Sequence, residues 1–118
     1  MADVVYFNDG IKLPCCANDN ELTAYVYVSS TTSPIDLSEG ISDNFIDQGS
    51  TQASFTFVMP LYPIDGQIVT LTFNNAVTSL TIDGNGRIII GTNPTSAAIG
   101  NRFSFKYYKS IDSWFRIQ

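Results

Sequence analysis

Three aspartates, Asp65, Asp83 and Asp112, are the side chains best suited by type to acid–base chemistry in this 118-residue chain. A pair of carboxyl groups can split a glycosidic bond, one giving a proton while the other attacks or activates water. That work needs a pocketed carboxyl whose pKa is pushed up by its surroundings. Each of these three sits instead in a turn signal, where Asp is favoured because its side chain bonds its own backbone. Histidine is absent, which excludes Ser-His-Asp and Cys-His nucleophiles within one chain. Cys15 and Cys16 are adjacent in "KLPCCANDN", and neighbouring cysteines bridge each other only with strained backbone geometry. Zinc would want two further Cys or His ligands. The pair reads as two reduced thiols in a loop, with a contact between subunits as the alternative.

Two further motifs fail on inspection. "GTNPTSAAIGN" lacks both the Lys and the glycine spacing of a phosphate loop. "IDGNGR" resembles the start of a calcium loop, but Pro94 occupies the twelfth position from Asp83, where a bidentate Glu is needed. The sequence therefore predicts a non-enzymatic protein with no metal and no cofactor.

The aromatic residues are the better lead. Tyr25 and Tyr27, Tyr107 and Tyr108, and Trp114 offer rings that could stack on sugar faces. They could equally fill a single-chain core, or pack strands between subunits, where aromatic residues concentrate. Charged residues make up only 14% of the chain, against a usual share of roughly a quarter. So low a share suggests that much of the surface meets protein or an uncharged polar ligand. A net charge of −5 argues against nucleic acid, which demands clustered Lys and Arg. Most acids lie between Asp3 and Asp65, while every base except Lys12 follows from Arg87 onward. Such front and back halves could attract one another within or between subunits. No apolar run is long enough to span a membrane, and "MADVVYFNDG" shows no basic n-region followed by a long apolar stretch, so synthesis in a cytoplasm is expected.

The elements that must position these residues are strands. Val26 and Val28 alternate with Tyr25 and Tyr27. Phe55, Phe57 and Met59, then Val69, Leu71 and Phe73, then Phe103, Phe105 and Tyr107 each recur at every second position. Period two with β-branched and aromatic residues, broken by Gly, Pro, Asn and Asp, is the strand signal. The fold class is all-β, expected as an antiparallel β-sandwich or small barrel-like domain with an N-terminal β arm. "IDGNGR" is expected to turn a hairpin between "SLTI" and "RIIIG", and "PIDGQ" to make another turn. Pro60 and Pro63 keep "MPLYP" out of a central strand. Residues 29–52, rich in Ser, Thr, Asp and Gly, read as a long loop. The domains are accordingly 1–53, arm plus linker and a possible attachment region, and 54–118, a compact β domain.

From Asp65 onward the runs "GQIVTLTF", "VTSLTIDGNGRIIIG", "IGNRFSFKYY" and "SWFRIQ" resemble the small β domains near the C-terminal ends of bacteriophage tail fibres and tailspikes. Gly66, Gly100, Trp114, Arg116 and Ile117 carry the likeness. It implies that the last strand completes the sheet, with Trp114 in the core or toward a threefold axis. Phe115 and Ile117 then share one face and Trp114 and Arg116 the other. A fibre carries such a domain after a long shaft, whereas here an arm and a linker precede it. The resemblance thus implies a virion accessory protein: a capsid decoration, head-fibre or tail component. It would form a homotrimer and bind other virion proteins, with neither nucleic acid nor membrane insertion. The alternative is a receptor-recognition module for a host-surface glycan.

Overall fold

The computed structural model describes residues 25–41 and 43–118. Cys15, Cys16 and most of the predicted arm lie outside the described residues. Within them the chain is all-β, with β1 (Val26–Val28), β2 (Ile35–Asp36), β3 (Asp43–Ile46), β4 (Gln52–Val58), β5 (Ile68–Phe73), β6 (Val77–Asp83), β7 (Ile89–Ile90), β8 (Arg102–Tyr108) and β9 (Ser113–Arg116). A single 3-10 turn, Lys109–Ile111, joins β8 to β9.

The strands form a six-stranded sheet, ordered β1-β3-β5-β8-β9-β7, and a three-stranded sheet, β2-β4-β6. Successive strands from β1 to β6 alternate between the two sheets, and β1 to β4 each pair in parallel with the strand two places on. This is a solenoid-like winding rather than the expected antiparallel sandwich or barrel. The all-β class stands; the arrangement differs for a physical reason. Period two fixes which side chains share a face, but it is blind to whether the neighbouring strand runs up or down. Among the described strands, antiparallel pairing joins β8 to β5 and β9 to β8.

Two local expectations also change. Residues 29–52 read as loop, yet they carry β2 and β3. Both are too short and too polar to show a period, and backbone pairing with β4 and β5 holds them in place. "IDGNGR" does turn, with Asn85 and Gly86 at positive φ (56° and 88°) and the Arg87 N–H donating to the Gly84 carbonyl at 3.2 Å. It does not close a hairpin. The chain crosses to the larger sheet, where β7 pairs in parallel with β9.

Between the sheets, Phe55, Phe57, Phe73, Phe105 and Trp114 are buried with Val69, Leu71, Ile46 and Met59. Phe57 meets Phe73, and Phe73 meets Phe103, edge to face at 5.7 and 5.9 Å, the geometry aromatic rings prefer. Each such side chain stabilises the fold by about 1.5–3 kcal/mol through burial alone. The outer edge of β6 is covered by the 93–97 segment: Val77 bridges Ala97, and Leu80 N–H donates to the Thr95 carbonyl.

Candidate functional site

The two sheets present opposite kinds of outer surface. On the three-stranded sheet the outward residues of β4 and β6 pair as Ser54 with Ser79, Thr56 with Thr81, and Val58 with Asp83. They are mostly small and polar, as a solvated face should be. On the six-stranded sheet the outward positions read Tyr27, Phe45, Thr72 and Arg102 along one cross-strand row, and Ile68, Lys106, Phe115 and Ile90 along another. Tyr25 and Tyr27 are more than half exposed, at 52% and 56%, and Ile68, Tyr108 and Ile90 lie between 36% and 39%. Large apolar side chains thus stand where a solvated sheet would carry Ser or Thr.

The face has two ends of different character. At the β1–β3 end, Tyr27 and Phe45 stack with ring centroids 6.1 Å apart. The Tyr27 hydroxyl donates to Asp47 Oδ2 at 2.6 Å. That bond holds the Asp47 carboxyl below the usual carboxylate range and raises the Tyr27 phenol, since each prefers the form that makes it. Tyr25, Asp43, Phe45, Thr72 and Arg102 line an open groove of about 350 Å³. At the β8–β9 end, Tyr108 meets Phe115 edge to face at 5.3 Å, and the Lys106 ammonium lies 5.5 Å over the Tyr108 ring. Thr70 and Ser104 separate the ends, their hydroxyls 2.9 Å apart, and Ser104 Oγ donates to Gln118 Oε1 at 3.1 Å.

No known family's sequence model matches the chain, and no curated protein matches it either.

The five ring-bearing candidates therefore divide. Tyr25, Tyr27 and Tyr108 are on the outer face. Tyr107 and Trp114 are core residues, 4% and 0% exposed, with centroids 5.3 Å apart. Arg116 also turns inward: its guanidinium lies 4.9 Å over Phe103 and donates to the carbonyls of Thr92 (2.9 Å) and Gln118 (2.8 Å). Phe115 pairs with the outward Lys106, so the alternation predicted for "SWFRIQ" is observed over Trp114, Phe115 and Arg116.

The aspartates weighed for acid–base chemistry each have a local structural partner. Asp65 Oδ1 accepts from the Lys109 N–H at 2.9 Å, and Asp83 Oδ1 accepts from the Asn85 N–H at 2.8 Å. Asp112 Oδ1 accepts from the Tyr107 hydroxyl at 2.5 Å and from Arg87 Nε at 2.7 Å. Those two donors, Tyr107 first, hold the Asp112 carboxyl below its usual range, opposite to what a general acid requires. Among the described residues, no cluster of His, Cys, Asp and Glu could hold a metal ion, and no helix is long and apolar enough to cross a membrane.

Sequence reasoning missed Phe45, Asp43 and Arg102 as members of the face. Phe45 is a lone aromatic residue in a Ser- and Asp-rich stretch, which was its one available signal.

Proposed function

We propose that this protein is a non-enzymatic structural component of a bacteriophage particle, a capsid decoration, head-fibre or tail accessory protein that assembles as a homo-oligomer, most simply a trimer. The observation that carries the reading is the contrast between the two outer surfaces of one small solenoid. One is clothed in Ser, Thr and Asp, and the other in Tyr, Phe and Ile. A framework of parallel coils with one apolar flank suits a protein built to be packed against others. The phage assignment rests on the resemblance of residues 65–118 to the closing domains of fibres and tailspikes. Attachment to the particle is assigned to the N-terminal half, residues 1–53.

Protein mass spectrometry of particles purified from the virus encoding the chain tests this. The reading expects the protein in fixed stoichiometry to the major capsid or tail protein. Its presence in infected cells but absence from purified particles overturns it.

A second reading has its own observation. The groove between Tyr25, Phe45, Asp43 and Arg102 combines ring faces with directional polar groups, a combination suited to a host-surface glycan. A glycan array decides it.

A further inference from the structure

We infer that the open N-terminal end of the solenoid is a strand-accepting site, and that its occupant is this chain's own segment before Tyr25, laid down as one further turn. The inference goes beyond the particle reading and does not depend on it.

Two free edges lie together at this end. β1 and β2 are each at the edge of their sheet, and among the described residues neither has a partner on its outer side. The Val28 carbonyl accepts from the Asp47 N–H at 2.9 Å, and the Leu37 N–H donates to the Val58 carbonyl at 2.9 Å. Peptide groups alternate in direction along a strand, so those of Tyr27 and Asp36 point away from β3 and β4. Rows of this kind are where a further strand adds.

The core also opens here. One turn further in, Ile46 and Phe57 are wholly buried, whereas Val26 and Ile35 are only half-buried though packed on the same core. Val26, Val28, Ile35, Leu37 and Asn44 line a cavity of about 230 Å³. Asn44 is wholly buried, and its Nδ2 donates to the Thr70 carbonyl at 3.2 Å. Its Oδ1 has no hydrogen-bond partner among the described residues. A buried acceptor left unpaired beside an open cavity calls for a donor from whatever fills it.

The opposite end supplies the comparison. There the edge of β6 is covered by the chain itself, through Val77 with Ala97 and Leu80 with Thr95. A solenoid needs such a cover at both ends.

Spacing selects the occupant. Val26 pairs with Asn44, 18 residues on, and Asn44 with Leu71, 27 on. Ile35 pairs with Phe57, 22 residues on, and Phe57 with Ile82, 25 on. One such turn back from Tyr27 falls within the first nine residues, and back from Asp36 between residues 9 and 18. The first window holds "VVYFN" (4–8), rich in β-branched and aromatic strand formers, and the second holds "IKLPC" (11–15). Tyr6 and Asn8 carry donors of the kind that Asn44 Oδ1 lacks. Because the segment runs directly into β1, its effective concentration is on the order of millimolar, far above that of a second copy in micromolar solution.

NMR of the 118-residue chain provides the test. The Tyr27 and Asp36 amides should exchange with solvent at least a hundredfold more slowly than in an unstructured chain. Cross-strand NOEs should tie Tyr27 to residues 4–8, and they should survive dilution of the labelled chain into a tenfold excess of unlabelled chain. In Val5→Pro with Tyr6→Pro, one of the two lost N–H groups faces β1 in either register. Tyr27 protection should fall at least tenfold there, while that of Leu71, inside the larger sheet, stays. Fast exchange of Tyr27 and Asp36 in the parent overturns the inference, as does protection that the two prolines leave unchanged. NOEs that vanish on dilution overturn it too, since they assign the end to a second copy. The parent's NOEs decide the question even where the proline variant fails to fold.

Discussion

Tyr107 and Trp114 face each other directly across β8 and β9, their ring centroids 5.3 Å apart and planes tilted by 55°. The pair sits where three features meet: the core between the sheets, the Arg87–Asp112 ion pair, and the strand that ends the chain. Tyr107 packs its ring on the indole, receives the Arg87 guanidinium over its face at 5.4 Å, and spends its hydroxyl on Asp112.

Trp114→Ala should destabilise the fold by about 3–5 kcal/mol, the cost of emptying a large fully buried aromatic site. Deleting residues 114–118 should abolish cooperative melting. β9 is an interior strand, with β8 on one side and β7 on the other, so the deletion also strips β7 of its partner. Gln118→Ala loses one part-buried side-chain bond, to Ser104, which keeps Thr70 as a partner, and should cost no more than about 1 kcal/mol. Thermal melts of the three variants check the order.

Arg116→Lys should cost about 1–2 kcal/mol in chemical denaturation, because Lys cannot bond two carbonyls while lying flat on Phe103. Lys106→Arg, on the outer face, should be nearly silent in the same assay.

Acid should weaken the fold through Asp112. Its carboxyl titrates lower folded than unfolded, so its contribution is complete above the unfolded value of about 3.9 and fades as pH falls through the folded one. Tyr107 is raised by the same bond, so its share persists below pH 10 and is lost as pH rises beyond. Tyr107→Phe should therefore flatten both limbs of a stability–pH curve. Asp112→Asn, which tolerates the left-handed backbone at this position (φ 48°), should flatten the acid limb more.

Gly84 and Gly86 should respond differently to alanine. A Cβ on Gly84 would lie 2.0 Å from the Arg87 carbonyl oxygen, whereas one on Gly86 meets open space. Gly86→Ala then costs only its positive φ, about 1–2 kcal/mol. Gly84→Ala must move backbone and should cost more, with loss of the Arg87 contacts visible as weaker acid sensitivity.

The inward residues of β4, β5, β8 and β9 were legible because each buried side chain recurs at every second position between breaks. β2 and β3 were not, and β7 was expected as the second strand of a hairpin with β6 rather than as the partner of β9. With two or four residues apiece they hold no period, and their pairing is decided by neighbours far along the chain. The solenoid winding was hidden for the same reason: alternation assigns faces within a strand, never the sheet to which the strand belongs. Tyr25, Tyr27 and Tyr108 could be suspected as surface rings. Only the three-dimensional register separates them from Tyr107 and Trp114, which have the same composition signal and lie in the core. Asp43 and Arg102, far apart in sequence, meet across a groove that no local spacing reveals.

The central claim is that this chain is made to associate with itself, and its native mass tests it most directly. Multi-angle light scattering of the purified 118-residue chain at micromolar concentration should give about three times 13.0 kDa, with the mass falling toward one subunit on dilution. A single species of 13.0 kDa that stays monomeric as concentration rises to 100 µM would contradict the account.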